Sequence, residues 1–230
     1  GTICISHKQF DQLSLAQLDM THVDAIVHCA AMTNVEVCED AVVDTLMSNL
    51  VNPSFLIDLA TAHNIPFVYI SSVGIYGDDP MLTPETADVQ NTTVHHASKF
   101  FFEELLRLKI KQHLILRTGW VFSDRTGSGK NFIERILSEA ATGQDMVSND
   151  EQFGHPTSAR FVTEALFSLL RAQKYGVYNT VQNPSLSRFE YVKLILEYAG
   201  SRTPLAPISA AHFNRKARVN QYETATNKKL

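Results

Sequence analysis

Cysteine is scarce in this 230-residue sequence: Cys4, Cys29 and Cys38 are scattered and show no CxxC spacing. Such a set frames neither a disulfide scaffold nor a zinc site. Cys29, inside an apolar run, reads as a small buried core residue. No apolar run approaches the roughly 18–20 residues needed to cross a bilayer, so no transmembrane helix is expected. No secretory leader is read at the start either. Glycine and proline number only 10 and 8, which excludes collagen-like and linker-dominated chains. A basic excess is also missing. There are 20 Lys+Arg against 24 Asp+Glu, a net charge of −4, which leaves no electrostatic footprint for nucleic acid. The histidines show no metal-ligand spacing. What remains is a cytoplasmic globular protein whose partners are small molecules, with room for a homodimer.

What is present is alternation. Apolar runs at Asp24–Cys29, Phe67–Ser71 and Leu114–Arg117 suit strands of a parallel sheet covered on both faces, with a short β-prone run at Thr2–Ser6 before them. Between them lie helical patterns at Glu39–Asn49, Ser54–His63 and Lys99–Lys109, the last presenting Phe101, Leu105 and Leu108 on one face. Strand and helix in turn imply βαβ units. After about Val121 the loops lengthen. Helices are expected at Asn131–Thr142, Ser158–Ala172 and Ser187–Tyr198, with a strand at Gly176–Thr180. The expected fold is α/β: a Rossmann-like, doubly wound parallel sheet over residues 1–122. A small helix-rich lobe over 123–230 is expected to return segments to the sheet.

Ligands of open parallel sheets bind beyond the carboxyl ends of the strands. The residues there are Ala30-Ala31-Met32-Thr33-Asn34-Val35-Glu36, Ser72-Val73-Gly74-Ile75-Tyr76-Gly77 and Thr118-Gly119-Trp120. Small residues at such ends let a cofactor approach the backbone, although each alone also fits tight packing.

The ordered series IVHCAAMTNVEVCED (from Ile26), NLVNPSFL (from Asn49), YISSVGIYG (from Tyr69), Lys99 and LRTGWVFS (from Leu116) resembles the extended short-chain dehydrogenase/reductase superfamily. Within it the sequence is most similar to the dTDP-4-dehydrorhamnose reductase family. Lys130-Asn131-Phe132, Glu151–Thr157 and the Ala217-Arg218-Val219 tail carry the likeness onward. The resemblance implies NAD(P)-dependent reduction of a 4-keto nucleotide-sugar. It implies Ser72 as the hydroxyl polarising the carbonyl, Lys99 as the base holding the nicotinamide ribose, and Ala30 and Ala31 beside the cofactor. It further implies Lys8 near an NADP 2′-phosphate and Asp11 near the adenine, where a solvated lysine and a helix cap are the plainer readings. Thr33, Glu36, Trp120, Asn131 and Gln152 fall near the sugar-nucleotide.

The sequence departs from the family twice. No Gly-rich turn for the pyrophosphate occurs; about 25 family residues lack a counterpart before Gly1. From this, weak dinucleotide binding by these residues is expected. The Tyr of the family's Tyr-x-x-x-Lys pair is His95. An imidazole of ordinary pKa, about 6.5, would serve as a replacement acid near neutrality, although the Lys99 cation nearby would push it towards neutral. Alternatively, His95 marks a member without hydride transfer, either a binding or regulatory protein or a cofactor-free acid/base enzyme. As plain surface residues, His95 and His96 would face solvent at a helix start. Thr126–Lys130 lacks the P-loop spacing and reads as a turn.

Overall fold

The structure, a computed structural model, describes residues 4–5, 19–123 and 131–230. Lys8, Asp11 and the Thr126–Lys130 turn lie outside the described residues, as does most of the expected strand Thr2–Ser6. In chain order the elements begin with β1 (Ile26–His28), α1 (Val35–Asp40), α2 (Val42–Leu46), a π-helical segment (Met47–Val51) and α3 (Asn52–His63). Next come β2 (Phe67–Ser72), a 3-10 turn (Val73–Tyr76), α4 (Val94–Lys109), β3 (His113–Thr118), β4 (Trp120–Phe122) and α5 (Phe132–Ala140). The C-terminal part holds β5 (Met146–Asn149), β6 (Phe153–Gly154), β7 (Pro156–Ser158), α6 (Ala159–Arg171) and β8 (Gly176–Thr180). It ends with β9 (Leu186–Ser187), α7 (Arg188–Tyr198), β10 (Leu205–Ile208), a 3-10 turn (Ala210–His212) and β11 (Tyr222–Glu223).

Strands β1, β2, β3 and β8 form a parallel sheet in that order, with Val68 in register with Leu114 and Leu114 with Gly176. The fold is α/β, as expected. Alternation along β2 and β3 divides the core between the two faces of the sheet. Phe67, Tyr69 and Ile115 pack with Ile57, Phe102 and Leu106 from α3 and α4. Val68, Leu114 and Leu116 pack with Val162, Leu166 and Leu169 from α6. A separate cluster of Ile136, Met146, Tyr191, Val192, Ile195 and Leu196 builds the C-terminal core between α5 and α7. Among the described residues, no helix is long and apolar enough to cross a membrane.

Three expectations need correction. The helix expected at Glu39–Asn49 is broken. Asn34 caps α1 by accepting from the amides of Glu36 and Val37, Ala41 leaves helical geometry (φ −116°, ψ 59°), and the chain then widens into the π segment. In α4 the expected face is the wrong one: Phe101 is 52% and Leu108 84% exposed, while His95, Ser98, Lys99, Phe102, Glu103 and Leu106 are buried. The buried stripe escapes an apolar pattern search because most of it is polar. Finally, Cys29 is exposed and Cys38 is the buried cysteine. Cys29 follows the last residue of β1, where the chain leaves the sheet.

Candidate active site

The loop after β1, the turn after β2 and the first half of α4 meet at the carboxyl edge of the sheet. Thr93 starts α4 by accepting from the His96 amide, and Glu39 Oε1 accepts from the Val94 amide at 2.8 Å. These caps satisfy amides at the helix start and aim His95 and Lys99 at the sheet. Lys99 Nζ donates to the Ile70 carbonyl at 2.9 Å and stands 5.0 Å from the centre of the Tyr69 ring. His95 Nδ1–H donates to the Met32 carbonyl at 2.8 Å. Ser72 caps the 3-10 turn, its Oγ accepting from the Gly74 amide at 3.1 Å. Ala30 is exposed and Ala31 half-buried on the β1 side.

The electrostatics follow from burial. His95 and His96, expected to face solvent, are only 6% and 4% exposed. Burial, with the Lys99 cation second, pulls His95 down to about 3 and both His28 and His96 down to about 4. The His95 imidazole is therefore neutral at pH 7, protonated on Nδ1 by its bond to Met32, with Nε2 left as an acceptor. This corrects the expectation of a near-neutral imidazolium acid. Burial also lowers the Lys99 ammonium, to about 8, against the pull of Glu103. Lys99 is thus the cation of the site at neutral pH and the group that titrates nearest to it.

Residues that sequence reasoning passed over hold this arrangement. Asn49, on the π segment and 1% exposed, accepts from the Met32 amide at 2.7 Å and donates to the Met32 carbonyl and to Ser98 Oγ. The His96 ring lies on Gly74, where a Cβ would come within 2.3 Å of Nε2. Asn220 Nδ2 donates to the Gly74 carbonyl at 2.7 Å. Only the position of Glu103, four residues after Lys99, left a signal in the sequence.

The expected substrate residues form a second group. Trp120 Nε1 donates to Glu223 Oε2 at 2.7 Å, and the Arg188 guanidinium covers the Trp120 ring at 3.4 Å. Gly154 lies beneath that indole: a Cβ there would stand 2.4 Å from Cε2. Arg188 also faces the Phe132 ring, and its amide donates to the Gln152 carbonyl. The Gln152 side-chain oxygen is buried without a partner among the described residues. Asn131 is held as the cap of α5, accepting from Ile133 and donating to the Ser123 carbonyl at 2.6 Å. Glu36 Oε2 accepts from the amides of Lys216 and Ala217, tying α1 to the C-terminal segment. Thr33 is exposed near the start of α1.

A parallel sheet with a lysine, a serine and small residues gathered at its carboxyl edge defines a short-chain dehydrogenase/reductase-like protein. More particularly, the chain belongs to the RmlD substrate binding domain family, whose profile matches residues 8–230. It is 26% identical over 210 residues to the spore coat polysaccharide biosynthesis protein SpsK of Bacillus subtilis, covering 90% of this chain and 72% of that one. It is 25% identical over 221 residues to the dTDP-4-dehydrorhamnose reductase of Mycobacterium tuberculosis, covering 93% and 72%. The dTDP-4-dehydrorhamnose reductase of Bacillus anthracis in complex with NADP superposes with a TM-score of 0.89 at 22% identity, covering 96% of this chain and 78% of that one.

Proposed function

We propose that the protein is a nicotinamide-dependent reductase of a 4-keto nucleotide-sugar, with the chemistry of a dTDP-4-dehydrorhamnose reductase, working without a phenol at position 95. The observation that carries this reading is Lys99: a buried cation on the Ile70 carbonyl, two residues before Ser72 on the same strand. The edge of β1 and β2 fits the nicotinamide half of NADP or NAD. Ala30 presents only a methyl group there, and the Ile70 carbonyl takes one of the three Lys99 protons. On this reading Lys8 and Asp11 serve the adenosine half. The cofactor supplies hydride when bound.

The chain's own residues supply the rest. Ser72 Oγ, already accepting from Gly74, donates a hydrogen bond to the ketone oxygen and polarises it. The proton that completes the alcohol comes from the Lys99 ammonium, whose amine regains it from solvent. Lys99 holds the ribose and is the proton reservoir, since His95 is neutral. His95 orders the Met32 loop and accepts through Nε2. Trp120 and Gln152, with Arg188, read the sugar-nucleotide, and Thr33 lies at its edge. Asn131 and Glu36 act through the elements they cap and tie. Residues 1–122 form the nucleotide part, and 123–230 form mainly the substrate part. The test is NADPH oxidation followed by absorbance, with dTDP-4-dehydrorhamnose offered. Sugar-dependent oxidation that is lost in Lys99→Met supports the reading; oxidation of equal rate in Lys99→Met overturns it. One observation favours a second reading, a binding or regulatory protein without hydride transfer. The imidazole that stands for the family's tyrosine is pinned to Met32 and is no acid at neutral pH. Saturable sugar-nucleotide binding without turnover marks that outcome.

A further inference from the structure

Among the described residues, a densely bonded buried cluster lies one helical turn beyond Lys99. Glu103 is fully buried on α4, and Arg117 on β3 is 3% exposed. Arg117 Nε stands 3.2 Å from both Glu103 carboxylate oxygens, and its Nη2 donates to Oε2 at 2.6 Å. Its Nη1 donates to Tyr76 Oη at 2.8 Å, and Tyr76 Oη donates to Asn179 Oδ1 at 2.7 Å. Asn179, on β8, closes the chain by donating through Nδ2 to the carbonyls of Thr83 and Thr226. Six pieces of chain are thus held by one guanidinium and one amide: α4, β3, β8, the turn headed by Ser72, the segment at Thr83, and the C-terminal segment.

We propose that the Glu103–Arg117 pair is a positioning device for the candidate site, fixing the Lys99 face of α4 against the Ser72 turn and standing a carboxylate beside the Lys99 ammonium. The proposal rests on the reductase reading for its consequence, but not for its test. A buried ion pair is a poor source of stability, because desolvating two charges offsets most of their attraction. Placement is the better account of this one. One end sits on α4, which carries Lys99, and the other, on β3, reaches the turn headed by Ser72 through Tyr76 Oη; Lys99 and Glu103 are helical neighbours at i, i+4. The groups facing Lys99 are His28 and Cys29 at the end of β1, Tyr69 on β2, and His95, His96 and Glu103 on its own helix. Among these, Glu103 is the one carboxylate. The buried histidines are neutral at pH 7, so the Glu103 carboxylate is the main charge that opposes burial at Lys99, beside the Ile70 carbonyl and the Tyr69 ring. Arg117, Tyr76 and Asn179 keep that carboxylate in place.

The test reads the titration of Lys99 by lysine side-chain NMR, with Lys99→Met assigning the signal; it requires no substrate. In the charge-neutral Glu103→Gln/Arg117→Met variant, checked for a cooperative melt, the Lys99 midpoint should fall by about one unit. In Glu103→Asp, which keeps the charge but withdraws it by one methylene, the fall should be smaller. A folded double variant with an unchanged Lys99 midpoint overturns the proposal. If the double variant does not fold, Glu103→Asp decides: a lowered midpoint supports the proposal and an unmoved one overturns it. Where turnover is measurable, kcat should fall more than KM rises, with the pH profile moving with the Lys99 midpoint. A shifted midpoint in a protein without turnover would leave the device standing and remove the reductase reading alone.

Discussion

Replacing Gly74 by alanine is the sharpest perturbation the structure offers. A Cβ at that position would stand 2.3 Å from His96 Nε2 and 2.4 Å from Cε1. Neither side yields easily. The His96 ring is 4% exposed and its amide is tied to Thr93 at the helix start. The Gly74 amide is bound to Ser72 Oγ and its carbonyl to Asn220 Nδ2. Overpacking of this kind costs about 1–3 kcal/mol. His96→Ala removes the obstacle and, with it, a ring whose Nδ1 is buried without a partner among the described residues. The two changes should therefore couple: the double variant should be more stable than the sum of the singles by about 1–2 kcal/mol. Urea unfolding of the four proteins measures this. If the single effects add within about 0.5 kcal/mol, His96 does not pack on Gly74 as described.

Three further outcomes follow from the same geometry. His28, His95 and His96 have folded pKa values of about 4, 3 and 4, below the 6.5 of an unfolded imidazole. The unfolded state therefore binds more protons below pH 6.5, and stability should fall from there towards pH 3–4 by about 1.4 kcal/mol per site and pH unit; an equal urea midpoint at pH 7.5 and 5.5 would contradict this. His95→Ala should keep the alkaline limb of any rate profile near 8, because that limb belongs to Lys99; a limb near 6.5 in the wild type that His95→Ala abolishes would restore the imidazole as the acid. A thiol reagent should label exposed Cys4 and Cys29 in the native protein and reach buried Cys38 only on unfolding.

Much of the sheet was legible because its central strands β2 and β3 are buried on both faces and read as continuous apolar runs. Phe67–Ser72 and His113–Thr118 exceed the expected runs by one or two residues, and Gly176–Thr180 coincides. What stayed illegible was polar and non-local. The buried face of α4 carries His95, Lys99 and Glu103, whose burial depends on Met32, Ile70 and Arg117, far off in sequence. Asn49 could not be placed without its π turn, and Arg188 without the Trp120 ring it covers. Ser72, His95 and Lys99 were read from resemblance. The spacing of His95 and Lys99 already sets the cation against a charged imidazole; the geometry adds the burial and the Met32 bond that keep it neutral.

Transfer of deuterium tests the central claim most directly. The protein is incubated with NADPH carrying deuterium at the transferable C4 position and with dTDP-4-dehydrorhamnose, and the sugar product is examined by mass spectrometry. The account predicts one deuterium at the reduced carbon in the wild type and at least a hundredfold less product from Lys99→Met, a loss of about 2.7 kcal/mol in transition-state stabilisation. A wild type that leaves the sugar unlabelled while binding it saturably would contradict the account, as would labelling that survives the loss of Lys99.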